Sequence, residues 1–243
     1  RKLRVSATVN DVGYFLFSGY TTEYLYTYPK NQETGYVDII CSDAFRLMQQ
    51  ASLTTVASAT AGQDTGTRIG KILDQVSWPT SMRTIDTGTT LCQVDPGTSR
   101  TSLDALKNAE FSEQGAFYIL PSGNAEFLSR ASIQAKSGVN PTFFSNDGTG
   151  IDYRNIVTAL DDKLIINTTS ITRAGGTAQT ASNTASQIKY FPHSYTATDL
   201  LVQTDAQALD YAKTYIASRA ETSIRCDSLI LDLYYLQIFY CIT

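Results

Sequence analysis

The polarity of the first 42 residues alternates with the two-residue period of a β-strand, and this pattern constrains the fold more than any other. Residues 10–13, Asn-Asp-Val-Gly, predict a turn. Further strands are expected at 14–17, 21–28 and 36–41, so the sequence predicts a meander of four strands. One face of the first strand carries four apolar residues, Leu3, Val5, Ala7 and Val9.

The middle of the chain changes to the period of a helix. Ser42 or Asp43 can cap a short helix that begins at Ala44. Apolar residues at helical spacing predict a second helix over 65–76, which Pro79 prevents from continuing. A third helix is expected over 102–112, with Gly115 just past its end.

Strands return after Gly115. Segments 116–120 and 125–128 predict a hairpin, and residues 145–148 predict another turn. Segments 151–160 and 163–173 predict a pair of strands about Asp161-Asp162, whereas the polar segment 174–186 predicts an exposed loop. Thr204-Asp205 predicts a helix cap, and strands are expected at 223–233 and 234–242.

Composition excludes several classes of protein. With 243 residues, 42% of them hydrophobic, and a net charge of −4, the chain is expected to be a packed globular protein rather than a disordered one or one that binds nucleic acid through bulk charge. The longest apolar tract, near 229–242, is broken by Asp232 and Gln237, so no stable membrane insertion is expected. Because the chain begins without Met and stops in mid-pattern, we expect a piece of a longer protein.

Cysteine and histidine do not predict a metal site. Cys41, Cys92, Cys226 and Cys241 lack CxxC spacing, and His193 is the only histidine. Buried free thiols are the expected state, with no metal and no cofactor.

Asp-Thr-Gly occurs twice, at 64–66 and 86–88. Aspartic proteases use this tripeptide to bring two carboxylates together so that they share a proton. In this chain a predicted helix lies between the two copies, whereas each copy should end a strand. Asp64 is better interpreted as a helix cap and Asp86 as a turn residue.

Other catalytic patterns are missing from the sequence. His193 is not accompanied by a Gly-x-Ser-x-Gly nucleophile motif, and no nucleotide-binding or EF-hand pattern is present. The 23 acidic residues leave glycosidase chemistry open without pointing to a pair. Asn167-Thr168-Thr169 is a glycosylation sequon that chance explains. The sequence therefore predicts no catalytic, cofactor-binding or metal-binding residues.

Eight segments, in order along nearly the whole chain, resemble the tail-tip hub family of minor tail proteins from long-tailed bacteriophages. They are FLFSGY (15–20), VDIICSDAF (37–45), TRIGKILD (67–74) with Trp-Pro at 78–79, DTG (86–88), SLDAL (102–106), VTALDD (157–162), ITRAGGT (171–177) and TDAQAL (204–209).

This resemblance implies an α+β fold similar to the hubs of phage baseplates and type VI secretion spikes. It implies mostly antiparallel, barrel-like tube domains with helices between them: a first tube part at 1–56, an α/β insert at 57–145 and a second tube part at 146–243 with a helix at 204–220. The implied protein is a non-enzymatic homotrimer at the distal end of the tail of the virion. Its ring joins the six-fold tail tube to a three-fold tip and lets the tape measure protein and DNA pass. The implied partners are the distal tail protein, the tape measure protein and tip or fibre proteins, with DNA only in transit.

Edge strands are the expected subunit interface, because a ring of protomers closes strand edges that would otherwise stay unpaired. The candidate interface residues are Leu3, Val5, Ala7, Val9, Tyr234, Leu236, Ile238 and Tyr240. Two alternatives stay open. A receptor- or carbohydrate-binding tail module is suggested by 15 tyrosines and predicts exposed tyrosines clustered around one loop, whereas a hydrolase requires convergent carboxylates in a pocket.

Overall fold

The computed structural model describes residues 1–30, 34–136, 144–160 and 162–231. It is a mixed α+β structure, as predicted, and it divides into two compact units. Unit 1 comprises residues 1–89 and 94–129, and unit 2 comprises residues 90–93 and 130–243. The predicted three-part division at 1–56, 57–145 and 146–243 stays a prediction.

Strands outnumber helices along the described ranges, and most of both are short. The described helices are α1 (Ala44–Gln50), α2 (Thr65–Gln75), α3 (Ser102–Glu113), α4 (Arg130–Lys136), α5 (Thr184–Tyr190) and α6 (Asp205–Ala217). The described strands are β1 (Lys2–Val9), β2 (Val12–Thr27), β3 (Tyr36–Ser42), β4 (Ser52–Leu53), β5 (Gln63–Asp64), β6 (Arg83–Ile85), β7 (Leu91–Cys92), β8 (Arg100–Thr101), β9 (Ala116–Ile119), β10 (Ala125–Leu128), β11 (Tyr153–Leu160), β12 (Thr168–Arg173), β13 (Gln179–Ser182), β14 (Ser194–Leu200) and β15 (Ile224–Leu231). No helix among these residues is long and apolar enough to cross a membrane.

The N-terminal meander has three strands, not the predicted four. Asn10 and Asp11 form the expected hairpin turn with positive φ, but β2 then runs unbroken for 16 residues, in the order β1-β2-β3. Gly19 does not turn the chain. It lies where a Cβ would stand 2.3 Å from the carbonyl oxygen of Ser42, so its role is close backbone approach rather than a turn.

The sheet is staggered along β2. Residues 12–20 of β2 pair with β1, and residues 20–27 pair with β3, so the two ladders overlap only at Tyr20. The register shifts opposite Val5/Ser6 and at Thr21/Glu23 leave Leu16 and Thr22 as extra residues on β2. Each half of β2 therefore has only one partner strand among the described residues.

The rest of unit 1 packs three helices around a small sheet of order β6-β10-β9. The predicted helices are confirmed, as are their caps: Asp43 accepts a hydrogen bond from the Phe45 amide and Asp64 from the Thr67 amide. The 116–128 hairpin is also confirmed, by the pairing of β9 with β10. The largest buried apolar side chains of this unit are Met48, Ile69, Ile72, Leu73, Leu106, Phe117 and Phe127.

The residue that ends α3 is Gln114, one position before the predicted Gly115. Gln114, with φ 56°, takes the left-handed position that glycine usually fills at a helix end. Gly115 is required instead because a Cβ there would lie 2.6 Å from the carbonyl oxygen of Leu128.

Unit 2 corrects the predicted strand pairing. Segments 151–160 and 163–173 are not partners: β11 pairs with β15, and β12 lies between β13 and β14. The polar segment 174–186 is not a loop throughout, because it contains β13 and the start of α5, whose cap is Asn183. The predicted strand 234–242 lies outside the described residues.

A layer of α6 on β12 and β13 forms the core of unit 2. Thr204 caps α6 as predicted, with Gln207 completing a reciprocal capping box. The buried cluster between the helix and the strands is apolar apart from one tyrosine and consists of Ile171, Ala197, Leu200, Val202, Ala208, Tyr211 and Ala212. The described residues form no closed barrel, so the barrel-like part of the fold prediction is not met in either unit.

Candidate assembly surface

The two Asp-Thr-Gly segments lie in direct contact. The Asp64 carboxylate caps α2 and also accepts a hydrogen bond from the Gly88 amide at 3.1 Å. A Cβ on Gly66 would lie 1.9 Å from the carbonyl oxygen of Asp86, and a Cβ on Gly88 would lie 1.8 Å from Thr65 Oγ1. The glycine of each copy is therefore needed for the close approach of the two backbones.

The two carboxylates serve different backbone groups rather than each other. Burial raises the pKa of Asp64, but the hydrogen bonds from Thr67 and Gly88 outweigh it, so the pKa lies below its usual value. Asp86 directly follows β6 and is not in the predicted turn, and its Oδ2 accepts a hydrogen bond from the Ser129 amide at 3.1 Å. A proton-sharing dyad requires the two carboxyl groups to hydrogen-bond to each other. This geometry favours a structural junction between chain segments.

Glu113, which the sequence did not single out, completes this junction. It is fully buried at the end of α3. Its Oε2 accepts from Thr65 Oγ1 at 2.8 Å, and its Oε1 accepts from the Thr89 amide at 3.0 Å and the Thr89 hydroxyl at 2.7 Å. The helical pattern placed it at a helix end, but nothing local indicated that its carboxylate would be buried.

His193 and the sequon residue Asn167 also have structural roles. Asn167 is fully buried, accepts from the His193 amide at 2.8 Å and donates to the Phe191 carbonyl at 2.8 Å. A His193 ring nitrogen lies 2.9 Å from the Tyr190 carbonyl oxygen. Because the Asn167 amide is enclosed, it is not accessible as a glycosylation acceptor in this fold.

The cysteines and acidic residues form no metal site within the described part of the chain. Cys41, Cys92 and Cys226 are free thiols, but only Cys92 is buried, so the expectation of burial is wrong for the other two. Cys241 lies outside the described residues.

Phe191 is held in a strained backbone conformation. Its φ of 64° and ψ of 168° belong to a region that essentially only glycine occupies. The residue is nevertheless 81% exposed, as is Ile188 three residues before it at 83%. The bond from Asn167 to its carbonyl fixes this conformation.

The predicted interface strand β1 is an edge strand of the N-terminal sheet. Leu3, Val5 and Ala7 alternate onto one face of it, and Val9 pairs with Val12 at the hairpin turn. The other four predicted interface residues, Tyr234, Leu236, Ile238 and Tyr240, lie outside the described residues. Whether these residues form a subunit interface stays a prediction.

The second half of β2 and the first part of β3 form a two-stranded projection, which we call the arm (residues 23–27 and 36–40). Nine of its ten side chains are exposed, and the tenth, Thr27, is partly so. Directly opposed residues share a face, so one face carries Tyr24 with Ile39 and Tyr26 with Val37. The other face carries Glu23 with Ile40, Leu25 with Asp38 and Thr27 with Tyr36. Apolar side chains thus lie on both faces of the arm.

A second two-stranded ribbon, β11 with β15, has the same character in unit 2. At one end it exposes the paired Leu160 and Ile224, at 67% and 76%, and Val157 and Ile230 are also exposed. A two-stranded ribbon is at best marginally stable alone in water. Both ribbons therefore have surface suited to a further protein layer.

Unit 1 also contains a cavity of about 270 Å³, which we call the basic pocket. Lys2 and Arg4 line it together with the apolar Leu3, Trp78 and Met82, and none of the described acidic residues contributes to its wall. Arg4 is held over the Phe15 ring at 4.7 Å and donates to Ser18 Oγ at 3.3 Å.

Comparison with known proteins identifies the fold. No protein-family model and no curated protein matches the sequence. Solved structures do match it. One is the 43 kDa tail protein of prophage MuSo2 from Shewanella oneidensis, with a TM-score of 0.54 and 12% identity; the match covers 88% of this chain and 63% of that one. Another is the tail protein from Neisseria meningitidis MC58, with a TM-score of 0.55 and 11% identity; the match covers 85% of this chain and 61% of that one. This chain thus spans about three-fifths of the length of these two structures.

At these identities the likeness establishes the fold alone. The class of fold is that of tail proteins, which confirms the resemblance seen in the sequence at this coarser level.

Proposed function

We infer that the chain is a structural hub protein of a phage-like tail, at the distal end of the virion. In this proposal three copies form a ring that joins the six-fold tail tube to a three-fold tip. The tape measure protein and DNA pass through its lumen, and the distal tail protein and tip or fibre proteins bind around it. The chain has no enzymatic role in this proposal.

One observation carries the proposal: each unit supplies a short antiparallel ribbon whose exposed apolar side chains are not covered by the rest of that unit. Three copies of a chain with two such ribbons provide six, which is the number that a six-fold tube requires. The shared fold with tail proteins supports the same assignment.

The test is the mass of the purified chain in solution, measured by light scattering at several concentrations, followed by electron microscopy of the particles. We expect a trimer with a ring-shaped projection. A chain that stays monomeric up to high concentration contradicts the proposal.

A second candidate is a receptor- or carbohydrate-binding module, and one observation favours it. Tyr24, Tyr26, Tyr28 and Tyr36 are all exposed around the β2–β3 connection, with Tyr28 at 80%. Exposed aromatic rings stack well on sugars. Binding to a glycan array that is lost in Tyr26→Ala/Tyr28→Ala, but kept in a matched Tyr153→Ala variant on β11, would favour this candidate over the hub.

A further inference from the structure

The arm carries a concentrated negative charge on one of its faces. Glu23 and Asp38 lie on the same face, flanked by Leu25 and Ile40. The ten arm residues include no lysine or arginine. This face therefore presents two carboxylates among apolar side chains.

The basic pocket has the opposite character. Lys2 Nζ contacts the Met82 sulfur at 4.0 Å and lies 6.0 Å from the centre of the Tyr20 ring. The Arg4 guanidinium donates to a hydroxyl and a carbonyl, Ser18 Oγ and the Ser122 oxygen. Neither cation has a carboxylate among these contacts. The pocket wall is mixed: Leu3, Trp78 and Met82 supply apolar surface beside the two serines. The pocket thus fits an acidic segment with apolar neighbours.

The part of the arm that carries Asp38 cannot reach the pocket of its own chain. Tyr20 borders the pocket, and β2 continues without a turn from Tyr20 into the arm. Leu25, opposite Asp38, lies five residues beyond Tyr20 along the extended strand, which is about 16 Å. Asp38 can therefore face the pocket only in another molecule. Glu23 is only three residues beyond Tyr20, about 10 Å along the strand, so it is the use of both carboxylates together that requires a second copy.

We propose that the arm of one copy docks in the basic pocket of a second copy, with Glu23 and Asp38 facing Lys2 and Arg4. This inference rests on the proposed ring and names the residues that make its contact. Because donor and acceptor surfaces differ, each copy gives one arm and receives one, which is the head-to-tail arrangement that closes into rings.

Charge reversal tests the contact. The arm variant is Glu23→Lys/Asp38→Lys, and the pocket variant is Lys2→Glu/Arg4→Glu. The charge-swapped chain carries all four substitutions. Asp210→Lys, on an exposed position of α6, is the control for a surface charge change. Because Arg4 has internal bonds, Lys2→Glu alone is a second pocket variant, and circular dichroism verifies the fold of each chain.

We expect the arm and pocket variants each to weaken self-association at least about tenfold at low salt, since like charges in contact are costly. The charge-swapped chain should recover the wild-type assembly, and the control should keep it. A wild-type trimer that neither reversal weakens, or that the charge swap does not restore, overturns this contact and leaves the ring intact. A wild-type chain that does not self-associate overturns both.

Discussion

Substituting alanine for Gly66 should destabilise the protein, although the same change one helical turn later should stabilise it. Both Gly66 and Gly70 lie in α2. A Cβ on Gly66 would lie 1.9 Å from the Asp86 carbonyl oxygen, 1.5 Å short of an ordinary contact at 3.4 Å, whereas a Cβ on Gly70 meets nothing within 4 Å.

The two expected magnitudes follow from this difference. Alanine gains up to about 1 kcal/mol over glycine within a helix. At Gly66, overpacking costs about 1–3 kcal/mol. The displaced Asp86 segment also weakens the bonds from Gly88 to Asp64 and from Ser129 to Asp86, at about 1 kcal/mol each. The net result is a loss of about 2–4 kcal/mol for Gly66→Ala and a gain of about 1 kcal/mol for Gly70→Ala.

Thermal unfolding followed by circular dichroism measures both variants. At about 2–4 °C per kcal/mol for a chain of this size, Gly66→Ala should lower Tm by about 4–16 °C and Gly70→Ala should raise it by about 2–4 °C. If the Tm of Gly66→Ala equals that of the wild type, the two Asp-Thr-Gly segments are not in backbone contact and the junction described above is wrong.

Three further predictions concern strain and ionisation. Phe191→Gly should raise the free energy of unfolding by about 1 kcal/mol, because the release of about 1–3 kcal/mol of backbone strain exceeds the about 0.5–1 kcal/mol of conformational entropy that glycine loses on folding. An unchanged or lower urea midpoint contradicts this prediction. The pKa of Asp64 lies below its unfolded value, so the carboxylate charge stabilises the fold above about pH 4, and that stabilisation is lost as the pH falls through the folded pKa. The urea midpoints of wild type and Asp64→Asn should therefore converge in acid. Midpoints that stay equally far apart at every pH would refute the lowered pKa of Asp64. Burial, and then Tyr215, raises the pKa of Tyr195 to about 12, so the stability that its neutral hydroxyl contributes is complete below about pH 10 and is lost as the pH rises through 12. The wild type should therefore lose stability relative to Tyr195→Phe over that interval. Tyrosinate absorbance from Tyr195 at pH 10 would contradict this prediction.

Helix ends could be predicted from the sequence because their signals are local. Asp43, Asp64 and Thr204 each cap the helix that directly follows, and the bond joins residues two or three apart. The first hairpin could also be predicted from the sequence, since Asn10 and Asp11 tolerate the positive φ that its turn requires.

Strand partners could not be predicted in the same way. Alternation indicates which face a side chain occupies, but it carries no information about which distant strand pairs with β11. The partner, β15, begins more than 60 residues later. Segment 174–186 was missed because β13 is made of Gln, Thr, Ala and Ser, which give no apolar period, although Asn183 was an available cap signal for α5.

Only part of the chemistry of the candidate surface could be predicted from the sequence. The sequence pointed to β1 and to exposed tyrosines near one loop. It did not reveal that Glu23 and Asp38 share a face, because that depends on the pairing of Leu25 with Asp38, and alternation within each strand does not define the register between strands. The burial of Glu113 depends on Thr65 and Thr89, which only the tertiary fold brings near it.

The stagger of the N-terminal sheet has a mechanical consequence. Because β2 is one continuous strand, tension applied to the arm passes along its axis into the ladder with β1. Hydrogen bonds in an antiparallel ladder lie perpendicular to the strands, so this tension shears the ladder instead of unzipping it from one end. A pull on the arm is therefore resisted by all the bonds between β1 and β2 together.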